Sequence, residues 1–123
     1  MIVRLGRVQL KIMHALWSHR RATAKEITDA LNEHEPIAHS TVQTLLRALE
    51  AKRAVGHDVD GRTFVFFPLL NEGQLAQSGT RELLDRLFGG NVGSLVCHLL
   101  KHEKLTAEEL CEVRRLINEQ AHK

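Results

Sequence analysis

A run of short hydrogen-bonding side chains occupies one face of the segment between residues 40 and 53. These side chains are Ser40, Gln43, Thr44 and Arg47. Their spacings of i, i+3, i+4 and i+7 would place them on one stripe of a helix. In a DNA major groove, Gln can pair with adenine, Thr can contact the methyl group of thymine, and Arg can bind guanine or a phosphate. The stripe has the chemistry to read base edges, and an ordinary solvent-exposed helix surface is the alternative.

The opposite face of this segment is apolar. It consists of Val42, Leu45, Leu46 and Leu49. Because these residues also repeat with the helical period, the sequence predicts an amphipathic helix over about residues 39–53 that packs on a core. Pro36 disfavours helix at the residue before it, which places the start of this helix near Ala38 or His39.

Three cations follow or flank the helix and are candidates for phosphate contacts. They are Lys52, Arg53 and Arg62. Contacts to the DNA backbone supply the sequence-independent part of affinity and need only positive charge at the correct position. For Lys52 and Arg53 an alternative is a solvated charge at a helix C-terminus, where the helix dipole favours cations. Arg62 is the stronger candidate.

A second local cluster carries metal-ligand and redox chemistry. In the sequence CHLLKH, His98 and His102 are one helical turn apart, Cys97 is adjacent to His98, and Cys111 lies on the next helical segment. Two imidazoles at i and i+4 can share a metal ion, and a cytosolic thiol near imidazoles can be a redox sensor. The sequence fixes no third ligand. We therefore expect no metal or cofactor, and interpret these residues as part of a subunit interface.

Two helical patterns come before this segment. The first, from about Arg7 to His19, has an apolar stripe of Leu10, Met13, Leu16 and Trp17. Trp17 lies on that stripe, so it is expected to pack in the core. The second begins with Thr23 and Glu26, which have capping-box spacing, and has an inner face of Ile27, Ala30 and Leu31.

After Arg53 the apolar pattern changes to the period of two that is typical of strands. Extended runs on both sides of Asp60-Gly61 predict a β-hairpin over about residues 55–67 with a type I′ turn, and Arg62 just past that turn. Three helices followed by a hairpin is the order of a winged helix-turn-helix, in which the third helix enters the major groove and the hairpin lies over phosphates. We assign residues 1–70 to this DNA-binding domain. The predicted fold class is mainly α with a small β-hairpin.

Residues 71–123 are predicted to form helices again, separated at Gly89-Gly90, with a second capping box at Thr106 and Glu109. These short helices are too rich in leucine to bury their apolar faces on one small winged domain, so we expect a helical dimerisation domain. The predicted interface residues are Leu83, Leu84, Leu87, Phe88, Leu95, Val96, Leu99, Leu110, Val113, Leu116 and Ile117.

Composition narrows the possible functions. Residues 1–70 contain ten Lys and Arg against seven Asp and Glu, and residues 71–123 contain seven against eight, so the first part is the more cationic. No apolar run is long enough to span a bilayer, and the first helical segment is too charged for a signal peptide, which favours a cytoplasmic protein without a membrane partner. No catalytic triad order, phosphate loop or carboxylate pair points to an enzyme.

The chain resembles the penicillinase and methicillin-resistance repressors, the BlaI/MecI family, which also includes the CopY repressors. The segments that carry the resemblance are LKIMHALW, ATAKEITDALN, STVQTLLRALEAKRAV, DGRTFVFFPLL, RELLDRLFGGNVGSLV and KLTAEELCEVRRLI. The resemblance implies a homodimeric winged-helix repressor on a palindromic double-stranded DNA operator, commonly with TACA and TGTA half-sites. It also implies that Ser40, Thr41, Gln43 and Thr44 read bases and phosphates, and that Arg62 is at the wing tip.

Three departures from the family pattern bear on regulation. Arg47-Ala48 stands where many relatives have Asn or Thr followed by Arg, so we expect a different operator preference. His98-Leu99 stands where relatives released by a sensor protease have a cleaved Asn-Phe bond, and the C-terminal CxC motif of the copper-responsive branch is absent. The inducing signal, whether a protease or a second protein, stays open. The alternative function is a winged-helix protein-interaction module without sequence-specific DNA binding.

Overall fold

The computed structural model describes residues 4–123, which form six α-helices and three short β-strands. The helices are α1 (Arg7–His19), α2 (Ala24–Asn32), α3 (His39–Ala51), α4 (Glu72–Phe88), α5 (Val92–His102) and α6 (Ala107–Ala121). The strands are β1 (Ala22–Thr23), β2 (Val55–Asp60) and β3 (Thr63–Pro68). The mainly helical fold with a hairpin after the third helix is confirmed.

The chain divides into two compact units, and the boundary lies inside α4. One unit ends at Thr80 and the other comprises Arg81–Lys123. The first unit therefore contains the winged domain and the beginning of α4. No helix in residues 4–123 is long and apolar enough to cross a membrane.

The core of the first unit forms where α1, α2, α3 and the sheet meet. Its fully buried side chains include Ile12, Met13, Leu16, Ile27, Val42, Leu46 and Leu49. Burial of a side chain of this size contributes about 1.5–3 kcal/mol, so the three buried residues of α3 hold that helix firmly on the domain. The apolar stripe predicted for α3 is confirmed, with Leu45 partly buried at its edge.

The predicted stripe of α1 is correct except at one position. Met13 and Leu16 are buried and Trp17 packs against the core, where its indole N–H donates to the Leu70 carbonyl at 2.8 Å. Leu10 is 36% exposed, and the buried residue of that turn is Ile12. The predicted stripe included Leu10 and left out Ile12. The buried face of α1 is therefore rotated slightly around the helix axis from the predicted one.

Both predicted capping boxes are present. The Thr23 hydroxyl accepts from the Glu26 N–H at 3.2 Å, while the Glu26 carboxylate accepts from the Thr23 N–H at 2.9 Å. The hydrogen bond from the Thr23 backbone N–H to the Glu26 carboxylate is the main cause of the lowered pKa of Glu26. Thr106 and Glu109 make the same pair of bonds at the start of α6, each at 3.0 Å, and the pKa of Glu109 is lowered for the same reason.

The hairpin belongs to a three-stranded antiparallel sheet in the order β1-β3-β2. The sequence pattern did not predict β1. This strand has only two residues, paired as Ala22 with Phe66 and Thr23 with Val65, and so short a strand has no alternation to recognise. The pairing fixes the start of α2 beside the hairpin.

The predicted turn is wrong by one residue. Asp60 pairs with Thr63, so the two-residue loop is Gly61-Arg62 rather than Asp60-Gly61. Of these loop residues only Gly61 has a positive φ, 64°, whereas a type I′ turn needs positive φ at both positions. Only the first position of the observed turn needs a left-handed backbone, and Gly61 adopts it without steric cost. Arg62 is therefore part of the turn rather than the first residue of the next strand.

The predicted end of the third helix is also corrected. The helix ends at Ala51 instead of Arg53, with Lys52 as the C-cap. Arg53 has a φ of 61°, and the Ala54 N–H donates to the Leu49 carbonyl at 2.9 Å. The left-handed conformation of Arg53 lets the Ala54 N–H reach a carbonyl that would otherwise be free at the helix end, and it directs the chain into β2.

In the second unit, Gly89 and Gly90 end α4 as predicted. Both have positive φ, and the Gly90 N–H donates to the Leu84 carbonyl at 3.0 Å. Leu84 is only 5% exposed, but many predicted interface residues on these helices are open to solvent. They include Leu83, Leu87, Leu99, Leu110, Leu116 and Ile117.

Candidate nucleic-acid interface

A groove of about 800 Å³ lies between α3, the start of α2 and the hairpin. We call it the wing groove. Its lining comprises Thr23, Ala24, Lys25, His39, Gln43, Arg47, Glu50, Ala51, His57, Arg62, Thr63, Phe64 and Phe66. Hydrogen-bond donors and cations predominate over carboxylates in this lining, so the groove suits an anionic ligand.

The wing groove brings together three of the residues predicted to contact DNA. Gln43 and Arg47 reach it from α3, and Arg62 reaches it from the turn of the hairpin. All three are exposed. Among the described residues, neither arginine has a carboxylate within ion-pair distance, so both guanidinium groups are available to an external anion.

Ser40 and Thr44 are exposed on α3, and an internal hydrogen bond restricts what Thr44 can do. The Thr44 hydroxyl donates to the Ser40 carbonyl one turn earlier at 3.0 Å. Its proton is therefore committed to the backbone. Thr44 keeps its methyl group and its oxygen lone pairs for a ligand, so it can contact a thymine methyl group or accept from a base amino group.

The other predicted DNA-binding residues lie outside the wing groove. Thr41 lines a different cavity, next to α1. The Lys52 ammonium donates to the Arg4 carbonyl at 2.9 Å and to the Gln9 side-chain oxygen at 3.2 Å. Arg53 is the left-handed residue after α3. The structure thus separates Thr41, Lys52 and Arg53 from the residues of the groove.

Two polar residues of the groove were not predicted from the sequence. Lys25 is the second residue of α2 and is brought to the groove by the pairing of β1 with β3. His39 begins α3, and its Nδ1 lies 3.2 Å from the Thr28 hydroxyl oxygen. Because that hydroxyl donates to the Ala24 carbonyl at 2.7 Å, it accepts from His39. The sequence does contain one indication for Lys25. The capping box at Thr23 locates the start of α2 and so places Lys25 in its first turn.

A hydrogen bond between two residues of the groove lining connects α3 to the hairpin. Nδ1 of His57 on β2 lies 2.5 Å from Oε1 of Glu50 on α3. The His57 ring also stacks on Phe64, with centroids 4.2 Å apart and planes inclined by 14°. These contacts join the helix to the hairpin. The sequence contained no signal for them, because the two residues belong to different elements.

The outer strand of the hairpin is held by Arg21. Its guanidinium pairs with Asp58 on β2 and lies over the Phe67 ring, 5.1 Å from the centroid. Such a cation–π contact supports the position of the hairpin relative to the end of α1. The side-chain contacts of Glu50 and Arg21 therefore hold the hairpin in position.

The cluster on α5 shows ring contacts. The His98 and His102 rings are 4.5 Å apart, and the Phe88 ring lies 5.5 Å from His98. Cys97 and Cys111 are free and exposed. Within residues 4–123, no three His, Cys, Asp or Glu side chains are grouped to hold a metal ion.

The helix order, the hairpin and the cationic groove define a winged-helix DNA-binding protein. More specifically, the sequence profile of the penicillinase repressor family matches residues 5–119, and the chain belongs to that family. The family consists of transcriptional repressors, not enzymes. The resemblance found in the sequence is confirmed.

Individual relatives agree with this assignment. A penicillinase repressor of Bacillus licheniformis is 27% identical over 118 residues, which are 96% of this chain and 92% of the relative. The solution structure of the DNA-binding domain of the repressor BlaI has 28% identity and a TM-score of 0.54, and the match covers 60% of this chain and 90% of that one. The Bacillus licheniformis BlaI monomeric form in complex with the blaP half-operator matches with the same identity and coverage and a TM-score of 0.52.

Proposed function

We propose that the protein represses transcription by binding a palindromic operator as a homodimer. In this proposal α3 enters the major groove and the hairpin lies on the adjacent phosphates. The observation that carries it is the wing groove, where Gln43, Arg47 and Arg62 meet without a carboxylate partner among the described residues. The BlaI monomeric form in complex with a half-operator supports the operator-binding part of this proposal.

Base reading is assigned to the exposed stripe of α3. Gln43 can both donate to and accept from adenine, which is the bidentate pairing that discriminates this base. Thr44 offers its methyl group because its hydroxyl donates to the backbone. Ser40 lies one turn before Thr44 and can contact either a base or a phosphate.

Phosphate binding is assigned first to Arg62 and Arg47, and next to Lys25. A phosphate in the wing groove would meet cations from the hairpin, α3 and α2 at once. Such contacts position the protein without reading the sequence. Thr41, Lys52 and Arg53 stay predicted contacts outside the groove.

Dimerisation is assigned to the leucine-rich helices that follow. Leu87 is 67% exposed and Ile117 is 50% exposed, and several neighbours on these helices are similarly open. An array of exposed apolar side chains is characteristic of a protein interface. Two copies related by a twofold axis would bring two α3 helices to half-sites one turn of DNA apart, roughly 34–36 Å.

The test is a fluorescence-anisotropy titration of two duplexes at two salt concentrations. One duplex carries the TACA/TGTA palindrome that the family resemblance implies, and the other carries the same bases scrambled. We expect a large preference for the palindrome and weaker binding at the higher salt concentration, because phosphate contacts release counterions. Equal affinity for both duplexes would exclude this operator, and no binding to either would favour the protein-interaction alternative.

A further inference from the structure

A second cavity, of about 570 Å³, lies on the first unit next to Thr41. We call it the α1 cavity. It is open to solvent and is bordered by α1, the end of α2, the loop of residues 33–37 and the first turn of α3. Its apolar surface comprises Val8, Ala15, Ala30, Leu31, Pro36 and Ile37. The volume is within the range of small-molecule sites, roughly 300–1,000 Å³.

Hydrogen bonds of the Asn32 side chain connect the two ends of the loop that forms one wall of the cavity. The Asn32 side-chain amide donates to the Thr28 carbonyl at 2.9 Å and to the Ile37 carbonyl at 3.0 Å. The Asn32 side-chain oxygen accepts from the Ile37 N–H at 2.9 Å. These bonds span the loop, so its path is set before any ligand arrives.

A second tie fixes the middle of the loop to α1. The Arg7 guanidinium donates to both carboxylate oxygens of Glu35, at 2.8 Å and 3.0–3.1 Å, and the Lys11 ammonium donates to one of them at 2.5 Å. Hydrogen bonding by Lys11 and the charge of Arg7 lower the pKa of Glu35. The cavity is therefore preformed, which reduces the entropic cost of binding.

The polar groups around the cavity favour a hydrogen-bond acceptor. Three imidazoles line it, those of His14, His19 and His34. The Glu35 carboxylate is shared by two cations, so that cluster has a net positive charge. Glu33 is the other carboxylate of the lining. An imidazole can donate to an anion, and it does so most strongly when protonated.

We propose that the α1 cavity binds a small aromatic carboxylic acid, with the ring on the apolar surface and the carboxylate on the imidazoles. The apolar side chains provide a surface for the hydrophobic ring of the ligand, and the volume is sufficient for a small molecule. The histidines give the site its preference for an acid over an uncharged compound of the same shape.

The cavity is placed to influence DNA binding, and this step rests on the proposed function. Thr41 belongs to the first turn of α3, and the loop of residues 33–37 leads directly into that helix. On the other side, His14 Nδ1 lies 3.9 Å from Glu72 Oε1, at the start of α4. A ligand on this surface would contact both the beginning of the recognition helix and a residue that faces α4.

The test uses 2-naphthoate as the probe and 2-naphthamide as its uncharged match. Calorimetry on the full chain without DNA should show saturable binding of 2-naphthoate at least about tenfold tighter than that of 2-naphthamide, as expected for a charge-assisted hydrogen bond. No binding of 2-naphthoate would overturn the proposal. Equal binding of the two compounds would overturn the assignment to an acid.

Two variants locate the site. Ser18 is an exposed lining residue on α1, so Ser18→Trp should fill the cavity and abolish binding of 2-naphthoate. Leu10→Trp places the same side chain on α1 outside the cavity lining and serves as the control, because it should leave binding unchanged. Equal retention of binding in both folded variants, checked by circular dichroism, would place the probe elsewhere.

The role of the histidines is tested by pH. The probe stays ionised between pH 6 and pH 8, and a protonated imidazole donates to a carboxylate more strongly than a neutral one, so binding should tighten as the pH falls. The charged groups around the imidazoles are Lys11, Glu33, Glu35 with its partner Arg7, Glu72 near His14 and Glu26 near His19. Replacing His14, His19 and His34 together by Gln should remove the pH dependence, and its persistence would contradict the assignment.

The effect on DNA is measured separately. Adding 2-naphthoate at saturation should change the affinity of the full chain for the palindromic duplex several-fold, and Ser18→Trp should eliminate that change. If the calorimetry succeeds but DNA affinity does not respond, the cavity is a binding site without the proposed coupling. Failure of the chain to bind either duplex would concern the proposed function and leave the calorimetric result unaffected.

Discussion

Oε1 of Glu50 lies 2.5 Å from Nδ1 of His57, and this contact joins the recognition helix to the wing. The two side chains are 38% and 26% exposed, so the pair is only partly screened by water. Phe64 supports it by stacking on the imidazole. Helix α3 and the hairpin are therefore coupled by a specific side-chain interaction in addition to the shared core.

The first prediction concerns the strength of this pair. Glu50→Gln, His57→Phe and the double variant form a double-mutant cycle, and phenylalanine preserves the stacking on Phe64. We expect a coupling energy of about 1 kcal/mol from urea unfolding, because partial exposure reduces the interaction. A coupling energy indistinguishable from zero would show that the pair does not stabilise the wing.

The second prediction concerns the methyl group of Thr44. Thr44→Ala and Thr44→Ser remove that methyl group, whereas Thr44→Val keeps it and removes the hydroxyl that donates to Ser40. We expect the first two variants to lose about 1 kcal/mol of discrimination between palindrome and scrambled DNA, and Thr44→Val to retain most of it. Anisotropy titrations measure this difference. An equal loss of affinity for both duplexes would mean that Thr44 does not read a base.

The third prediction separates phosphate contacts from base contacts. Arg62→Ala should weaken binding to palindromic and scrambled duplexes to the same extent and reduce the slope of log affinity against log salt by about 1. Arg81→Ala, which removes one charge from a residue that does not line the wing groove, is the control. An unchanged salt slope in Arg62→Ala would refute the phosphate contact.

The sequence predicted the helices and the exposed polar stripe of α3 because each depends on local spacing. Apolar residues repeat with the helical period on α3, and the capping residues Thr23 and Thr106 mark helix starts within a few positions of the chain. The polar stripe from Ser40 to Arg47 could be read in the same way. Local rules of this kind need no knowledge of the tertiary fold.

The remaining features depend on contacts between elements. Lys25 joins the wing groove only because a two-residue strand pairs with β3, and Glu50 meets His57 across helix and sheet. The turn was misplaced because Asp60-Gly61 and Gly61-Arg62 both satisfy a glycine-based hairpin signal, and strand register decided between them. Lys52 is predicted to contact a phosphate or to be a solvated charge at the helix end, and the structure shows that its ammonium donates to the Arg4 carbonyl and the Gln9 side-chain oxygen.

The fourth prediction tests the dimer interface. Leu87 is 67% exposed on α4, so Leu87→Glu should leave the fold intact while burying a charge in the proposed interface. We expect sedimentation equilibrium to show a shift from dimer to monomer, and operator affinity to fall because two half-sites are no longer bound together. Arg86→Glu, at the adjacent exposed position, is the control. A Leu87→Glu protein that is as dimeric as the wild type would exclude α4 from the interface.

The fifth prediction concerns acid stability through Glu35. Its pKa is lowered from 4.5 by Lys11 and Arg7, so its ionised form is favoured in the folded state. The resulting stabilisation is complete above the unfolded-state value and disappears as pH falls through the lower folded-state pKa. Glu35→Gln should therefore unfold at a lower urea concentration than the wild type at pH 7, and the difference should shrink below about pH 4.5. Glu33→Gln is the matched control, because Glu33 forms no ion pair with the described residues and should shift the urea midpoint little at either pH. A difference between Glu35→Gln and the wild type that stayed constant down to pH 3 would contradict a charge-dependent role for this carboxylate.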